Sequence, residues 1–406
     1  MLDIVLTVLN EIRNKKLPVI IAGAGIVGKV LLSICKDTGI EVRCFCDSSK
    51  KVAGSKFCGL EVIYTPDLKI KYNDAVILIS VAAIKDVVDL LRNLGFSNWY
   101  AGGLLLKNFD VSQNSSDASI DYAKFAIENC ILCHDGYLNP DKLFLRSIDI
   151  IITERCSLKC KGCSNLMQYY EKPVNCDTST LLRSLDAFCA VVDEVMDFRI
   201  IGGEPFMNRE WHKIAERLVN EPKAKRVVIY TNGTIIPDKK HIEILKNKKA
   251  LVIISDYGAL SRNLSGLKKI FEENKIAHHV LKITEWLDCS AITPYNRGPK
   301  GNKEIFRLCC AKNMASLSDG KLFRCPYSAN TARLAAIPNF LGDHVDLFQE
   351  LHSARSIRDV KKKVKSFLLQ KKFLETCDFC NGRPLSGVEA QPYVQIKTPL
   401  KYRKYH

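Results

Sequence analysis

The sequence predicts an α/β chain in three parts: a doubly wound parallel sheet, then a full or partial β/α barrel, then a cysteine-rich extension. Three observations carry this. Short apolar runs alternate with helical periodicity through the first 110 residues. The alternation resumes near residue 148 and recurs as far as about residue 285. Beyond about residue 290 the periodicity fades and cysteines gather. The expected boundaries are 1–110 for the first domain, 111–147 for a linker with a helix, 148–290 for the barrel and 291–406 for the extension and a basic tail.

Residues 1–17 place Leu2, Val5, Val8, Leu9 and Ile12 near helical spacing, and Pro18 ends that helix. PVIIA (18–22) is a short apolar run of the kind a strand buried on both faces shows. A helix follows over 26–35, then strands at 41–46 and 75–80, a helix over 84–94 and a last strand at 99–101. The polar, serine-rich stretch VSQNSSDASI (111–120) reads as linker, with a helix near 122–128. The second alternation comprises strands IDIIIT, FRII, VVIYT, LVIIS and HHVLKI, separated by helices near 178–195, 209–220, 239–247 and 262–274.

The chain has 406 residues, 47% hydrophobic and 26% charged, which excludes a wholly disordered or collagen-like protein. It is long enough for two or three domains at about 150 residues each. No run of about 18 uncharged apolar residues suggests a membrane span. The N-terminal MLDIVLTVLNEIRNKK lacks a basic n-region, so the expected location is cytoplasmic. With 17 cysteines and no export signal, metal ligands and buried thiols are expected rather than disulfides. Sixty Lys and Arg against 44 Asp and Glu give a formal charge of +16, which suits an acidic partner or merely a solvated basic surface.

Gly23-x-Gly25-x-x-Gly28 joins a strand to a helix, and Asp47 ends the next strand. That context is the dinucleotide fingerprint, with glycines for the turn and close phosphate approach and a carboxylate for ribose hydroxyls. The stretch from Val19 through Gly59-Leu60-Glu61-Val62 resembles the nucleotide-binding-like domain that precedes sugar-nucleotide acetyltransferases and related glycan enzymes. The resemblance implies a nucleotide or nucleotide-sugar ligand; the alternative is a scaffold that only positions a partner.

Cys156-x3-Cys160-x2-Cys163 directly follows the strand 149–153. Three thiolates on one short loop converge on one metal centre and leave a position open, as a cofactor-binding site requires. Zinc would need a fourth protein ligand. Gly202-Gly203-Glu204-Pro205 follows the next strand, and Asn232 and Ser255 sit at the ends of the two after it, where barrel active sites collect. This pattern resembles the radical S-adenosylmethionine (SAM) superfamily. The resemblance implies that Cys156, Cys160 and Cys163 hold three irons of a [4Fe–4S] cluster. It further implies that SAM chelates the fourth iron, and that Gly202, Gly203, Glu204, Pro205, Asn232 and Ser255 contact SAM.

Cys310, Gly320 and Cys325 form C-x9-G-x4-C around a hairpin turn at Ser318–Lys321, and Cys377-x2-Cys380 adds two thiols. Four sulfurs suit zinc or an iron–sulfur cluster, and Cys309 is an alternative to Cys310. The set resembles the twitch domain, a reduced SPASM domain, of radical SAM enzymes. That resemblance implies one auxiliary [4Fe–4S] cluster. Cys130-Ile-Leu-Cys133-His134 matches a haem-attachment string, but such attachment needs export, and a structural thiol pair under the barrel is expected instead.

The expected function is a radical SAM oxidoreductase acting on a small substrate such as a sugar or sugar nucleotide. An acidic electron donor such as flavodoxin or ferredoxin is its expected partner. One alternative is a peptide-modifying enzyme. Another is a non-catalytic iron–sulfur protein that binds nucleic acid through runs such as Lys361-Lys362-Lys363.

Overall fold

The structure, a computed structural model, describes residues 2–107, 119–384 and 387–405. Residues 111–118 of the expected linker lie outside this set. The chain forms two compact units, Met1–Lys142 and Leu143–His406.

In the first unit, α1 (Leu2–Asn14) leads into β1 (Val19–Ala22), α2 (Ile26–Asp37) and β2 (Val42–Asp47). A small hairpin of β3 (Lys56–Phe57) and β4 (Leu60–Tyr64) precedes α3 (Leu68–Lys71), β5 (Val76–Ile79), α4 (Ile84–Asn93), β6 (Trp99–Ala101) and α5 (Gly103–Leu106). The strand order is β3-β4-β2-β1-β5-β6, parallel except for β3. The direction of winding reverses between β1 and β5, at a topological switch point. Successive residues of β1 serve opposite faces. Val19 and Ile21 pack with Leu31, Phe45 and Leu78, whereas Ile20 and Ala22 pack with Ile77, Val88 and Leu91. Both faces are therefore covered, which is why the strand reads as a continuous apolar run.

Helix α6 (Ile120–Leu138) is much longer than expected and belongs to this first unit, packing on α2, α4 and α5. Cys130 and Cys133 therefore lie in the core of the first unit rather than under the second sheet. Cys133 donates to Asn129 Oδ1 at 3.2 Å. His134 is fully buried: Nδ1 accepts from Gly103 N at 2.9 Å and Nε2 donates to the Val81 carbonyl at 3.0 Å. Burial holds its pKa down to about 4, so it stays neutral and serves as an internal tie.

The second unit is built on β7 (Phe144–Ile151), β8 (Glu194–Ile201), β9 (Ala224–Thr231), β10 (Ala250–Asp256) and β11 (His278–Lys282), all parallel. Their apolar outer face is covered by α7 (Thr178–Val191), α8 (Trp211–Val219) and α9 (Leu264–Glu273), and the expected helix at 239–247 is a 3₁₀ turn, Lys239–Lys246. After β12 (Trp286–Leu287) and α10 (Gly298–Leu308), the chain forms β13 (Ser316–Ser318), β14 (Lys321–Phe323) and β15 (His344–Asp346). Strand β13 pairs parallel with β7, so the sheet runs β11-β10-β9-β8-β7-β13-β14-β15. The order ends at β11 and β15, which makes this an open, partial barrel. The β13–β14 hairpin turns at Asp319 and Gly320, both with positive φ. Helices α11 (Pro326–Arg333), α12 (Leu347–Ser353) and α13 (Ile357–Leu369) complete the unit, and β16 (Glu389–Ala390) pairs with β12.

Helix α13 carries the lysine run. Its Val360, Val364 and Phe367 are buried, while Lys361 pairs with Asp193 at 2.6 Å and Lys363 with Glu350 at 2.5 Å. The run is the outer face of an amphipathic helix, and Phe367 is unavailable for base stacking.

Candidate active site

Beyond β7, Ile152 and Thr153 continue into the cysteine loop. Glu154 anchors the start of that loop. Its Oε1 accepts from Arg333 Nε and Nη2 at 3.0 and 2.7 Å, and its Oε2 accepts from Val174 N. The loop then presses against the turn that follows β8. Gly203 N donates to the Thr153 carbonyl at 3.0 Å, and Glu204 N to the Arg155 carbonyl at 2.8 Å. A Cβ on Gly202 would lie 2.2 Å from the Thr153 carbonyl oxygen, and one on Gly203 would lie 2.3 Å from the Arg155 carbonyl oxygen. Gly202 also has φ +153°. Only glycine lets these two backbones meet.

The result is a cavity of about 250 Å³ lined by Cys156, Cys160, Cys163, Gly202, Gly203, Asn232 and Ser255 together. Residues far apart in sequence, from the ends of four strands, thus share one space. Backbone N–H groups are aimed at the sulfurs. Burial pushes all three thiols up, Cys160 to about 11, while N–H groups of Leu158 on Cys156, and of Met167, Asn165 and Leu166 on Cys163, favour the thiolate. These thiols are costly to ionise alone but are surrounded by donors that suit a charged cluster. Among the described residues, no three His, Cys, Asp or Glu side chains gather closely enough for a single metal ion. Three thiols lining one cavity with backbone donors behind them, and no fourth Cys or His among the described lining residues, suit a cluster that keeps one position open.

Asn232 ties the end of β9 to this loop. Its Nδ2 donates to Ser157 Oγ at 3.1 Å and Cys156 Sγ at 3.6 Å. Ser255 lines the cavity, and its carbonyl accepts from Ser261 Oγ. Glu204 differs from the other residues of its motif. It is fully buried, does not line the cavity, and accepts from Thr231 Oγ1, Phe206 N and Asn232 N at 2.9, 3.2 and 2.8 Å. Burial pushes its pKa up to about 7 against those three donors. Pro205 opens a short 3₁₀ turn beneath it. Both support the glycines rather than face the cavity.

A second cavity, about 40 Å³, is lined by Cys309, Cys325, Cys377 and Cys380 with Phe306, Leu374 and Arg324. Cys310 is exposed and lies outside it, so the thiol that lines this cavity with the other three is Cys309. The reason is local: α10 ends at Leu308, and the turn that follows carries Cys309 inward, while Cys310 N donates to the Arg383 carbonyl at 2.9 Å. Burial raises Cys325, Cys377 (to about 12) and Cys380, with the neighbouring sulfurs adding to it. Ser328 N and Gly382 N donate to Cys325 and Cys380. Four thiols facing one desolvated space, with backbone donors, fit a metal cluster. One buried cluster that includes Leu166, Met167, Tyr169, Tyr170 and Tyr327 packs against Cys156 and Cys163 and also against Cys325 and Cys380.

In the first unit, Gly23, Gly25 and Gly28 lie at the turn from β1 to α2. Gly28 packs against the Gly23 carbonyl, and Gly25 faces open space. The Asp47 oxygens accept from Ala24 N at 3.0 Å and Ser49 N at 2.8 Å, so the carboxylate braces the glycine turn.

Several residues of the first cavity carried no sequence motif. Asp149, Arg199 and Tyr230 line its wall, with Tyr257, Trp286 and Arg383. Charged residues in the middle of apolar strands were the available signal for the first two. The tail was expected to be merely basic. Within it (397–406), Leu400 N and Tyr405 N donate to the Gln168 and Ala335 carbonyls, and just before it residues 394–396 pair with the cysteine loop.

The radical SAM superfamily model matches residues 150–255. The GTP 3',8-cyclase of Clostridium acetobutylicum is 34% identical over 99 residues, 23% of this chain and 30% of that protein. The chain thus spans less than a third of that relative's length. The structure of BtrN in complex with AdoMet and 2-DOIA is similar at 16% identity, covering 59% of this chain and 93% of that one, with a TM-score of 0.37. Streptococcus suis SuiB is similar at 16% identity, covering 58% and 50%, with a TM-score of 0.29. Among the described residues no helix is long and apolar enough to cross a membrane. The segment that carries the three loop cysteines and the strand ends facing them is a radical SAM superfamily domain.

Proposed function

We propose that this chain is an enzyme that oxidises or rearranges a small substrate, such as a sugar or sugar nucleotide, by radical SAM chemistry. The observation that carries this is the shared cavity of Cys156, Cys160 and Cys163 with Gly202, Gly203, Asn232 and Ser255. When bound there, a [4Fe–4S] cluster and SAM supply a 5′-deoxyadenosyl radical that abstracts a substrate hydrogen. The three thiolates hold the cluster, and the loop N–H groups offset its charge. The Gly202–Gly203 backbone gives SAM a close approach, and Asn232 and Ser255 offer polar groups at the same rim.

Cys309, Cys325, Cys377 and Cys380 form the auxiliary cluster site in this reading, with Arg324 as a nearby cation. These four thiolates would hold a cluster able to take the electron left on the substrate radical, and with loss of a proton to solvent the net result would be dehydrogenation. The aromatic cluster that touches both cysteine sets supports this division. The first unit then serves a nucleotide or nucleotide sugar at Gly25 and the N-terminus of α2. A flavodoxin or ferredoxin is the donor that suits the basic surface.

The test is anaerobic reconstitution with SAM and dithionite. Wild type should release 5′-deoxyadenosine, and Cys160→Ala should release none. Cys377→Ala should retain SAM cleavage while product formation stops. A wild-type protein with an intact cluster that yields no 5′-deoxyadenosine with any reductant would defeat the reading.

A further inference from the structure

The wall of the first cavity is unusually charged for the inside of a sheet. Asp149 and Arg199 sit in register on β7 and β8 and pair at 2.6 Å, with Asp197 at 3.9 Å from the same guanidinium. Asp149 is 2% exposed and Asp197 3%, so two buried carboxylates share one guanidinium. Arg383 stands beside that group, outside its ion pairs. It lines the same cavity, and among the described residues no carboxylate lies within ion-pair distance of it. Its Nε is buried without a hydrogen-bond partner. Its carbonyl is pinned by Cys310 N at 2.9 Å, and the preceding residue, Gly382, lines the second cysteine cavity. The side chain is therefore fixed at its base and lies close enough to Cys163 and Asp149 to favour their charged forms, which brings a second guanidinium to the wall of this cavity. A buried guanidinium nitrogen left unpartnered needs an acceptor, and a planar fork favours carboxylate or phosphate oxygens.

We infer that Arg383 forms an anion subsite of the first cavity, which takes a carboxylate or phosphate of the substrate while the Asp149–Arg199 pair meets its polar groups. This deepens the proposed function, on which it rests, by assigning the substrate an acidic group. The segment after Cys380 then acts at both cavities, closing the one lined by the second cysteine set and recognising the ligand in the other.

The carboxylate of SAM has the same chemistry, so the test has two arms. Trp286 lines the cavity and reports on it by fluorescence. In reconstituted protein at fixed ionic strength, inorganic phosphate or acetate should give a saturable Trp286 signal. Arg383→Gln should weaken that binding at least tenfold and Arg383→Lys should restore part of it. Trp286→Phe should remove the signal. SAM affinity, measured by equilibrium dialysis on the same proteins, should fall at least tenfold less than anion affinity. A flat wild-type response, an unchanged Arg383→Gln titration, a signal that survives in Trp286→Phe, or an equal or larger loss of SAM affinity would each overturn the subsite. Absence of 5′-deoxyadenosine from wild type defeats the radical SAM reading itself. Failure of the titration in protein that cleaves SAM removes the subsite alone.

Discussion

Gln395 Nε2 donates to Cys160 Sγ at 3.1 Å, and Gln395 Oε1 accepts from Lys159 N at 2.7 Å. One amide near the end of the chain thus grips both the sulfur and the backbone of the cysteine loop. Flanking backbone bonds from Lys161 N to the Val394 carbonyl and from Ile396 N to the Lys159 carbonyl, both 2.8 Å, hold it in place. Gln395→Ala removes the side-chain clamp and leaves those flanking bonds. The apo protein should lose about 1 kcal/mol, the usual worth of one such bond. The loaded protein should surrender iron to a chelator severalfold faster, and its midpoint potential should fall, because a hydrogen bond to sulfur stabilises the reduced cluster. Chelation kinetics and redox titration followed by electron paramagnetic resonance read these effects.

The two glycines after β8 make a sharper demand. A methyl at Gly203 meets the Arg155 carbonyl at 2.3 Å and Cys156 Cβ at 2.7 Å, both rigid parts of the loop. Gly203→Ala should cost about 1–3 kcal/mol by forced overpacking and should prevent full iron loading, because Cys156 is displaced. Gly25→Ala, where nothing lies within 4 Å, is the matched control. Its stability should change by less than about 1 kcal/mol. Thermal unfolding beside iron and sulfide counts separates the two.

The second cysteine set yields a prediction in which adjacent residues differ. Cys309 faces the cavity with Cys325, Cys377 and Cys380, and Cys310 is exposed. Cys309→Ser should remove about half of the bound iron, one of two clusters of equal size. Cys310→Ser should leave iron content at the wild-type level. Equal losses from both variants would mean that the turn after α10 reverses when metal binds.

What the sequence made legible follows from range. The cysteine loop, the glycine turn, Asn232 and Ser255 sit at strand ends, and β/α alternation alone brings strand ends together. The continuous apolar run of β1 likewise announced a sheet buried on both faces. What stayed hidden depends on contacts that no local pattern encodes. Gln395 reaches Cys160 across 235 positions, and Arg383 enters the cavity because of the turn that follows Cys380. The choice of Cys309 over Cys310 turns on where α10 ends, a boundary of one residue. Glu204 carried a family signature, yet its side chain knits β8 to β9, which only the hydrogen bonds reveal.

Glu204 also sets a pH dependence. Burial raises its pKa to about 7, outweighing the donors Asn232 N, Thr231 Oγ1 and Phe206 N, whereas an unfolded glutamate titrates near ~4.3. The folded state therefore holds this proton more tightly than the unfolded state. The stability it contributes is fully present below about pH 4.3 and is lost as pH rises through about 7. Glu204→Gln has no proton to lose. The melting temperature of the variant minus that of wild type, measured on apo protein, should therefore climb steadily between those limits and level off above them. Asp197, also pushed up to about 7, titrates in the same window but is common to both proteins and cancels in the difference. A flat or falling difference would show that the three donors outweigh burial and that Glu204 is ionised throughout.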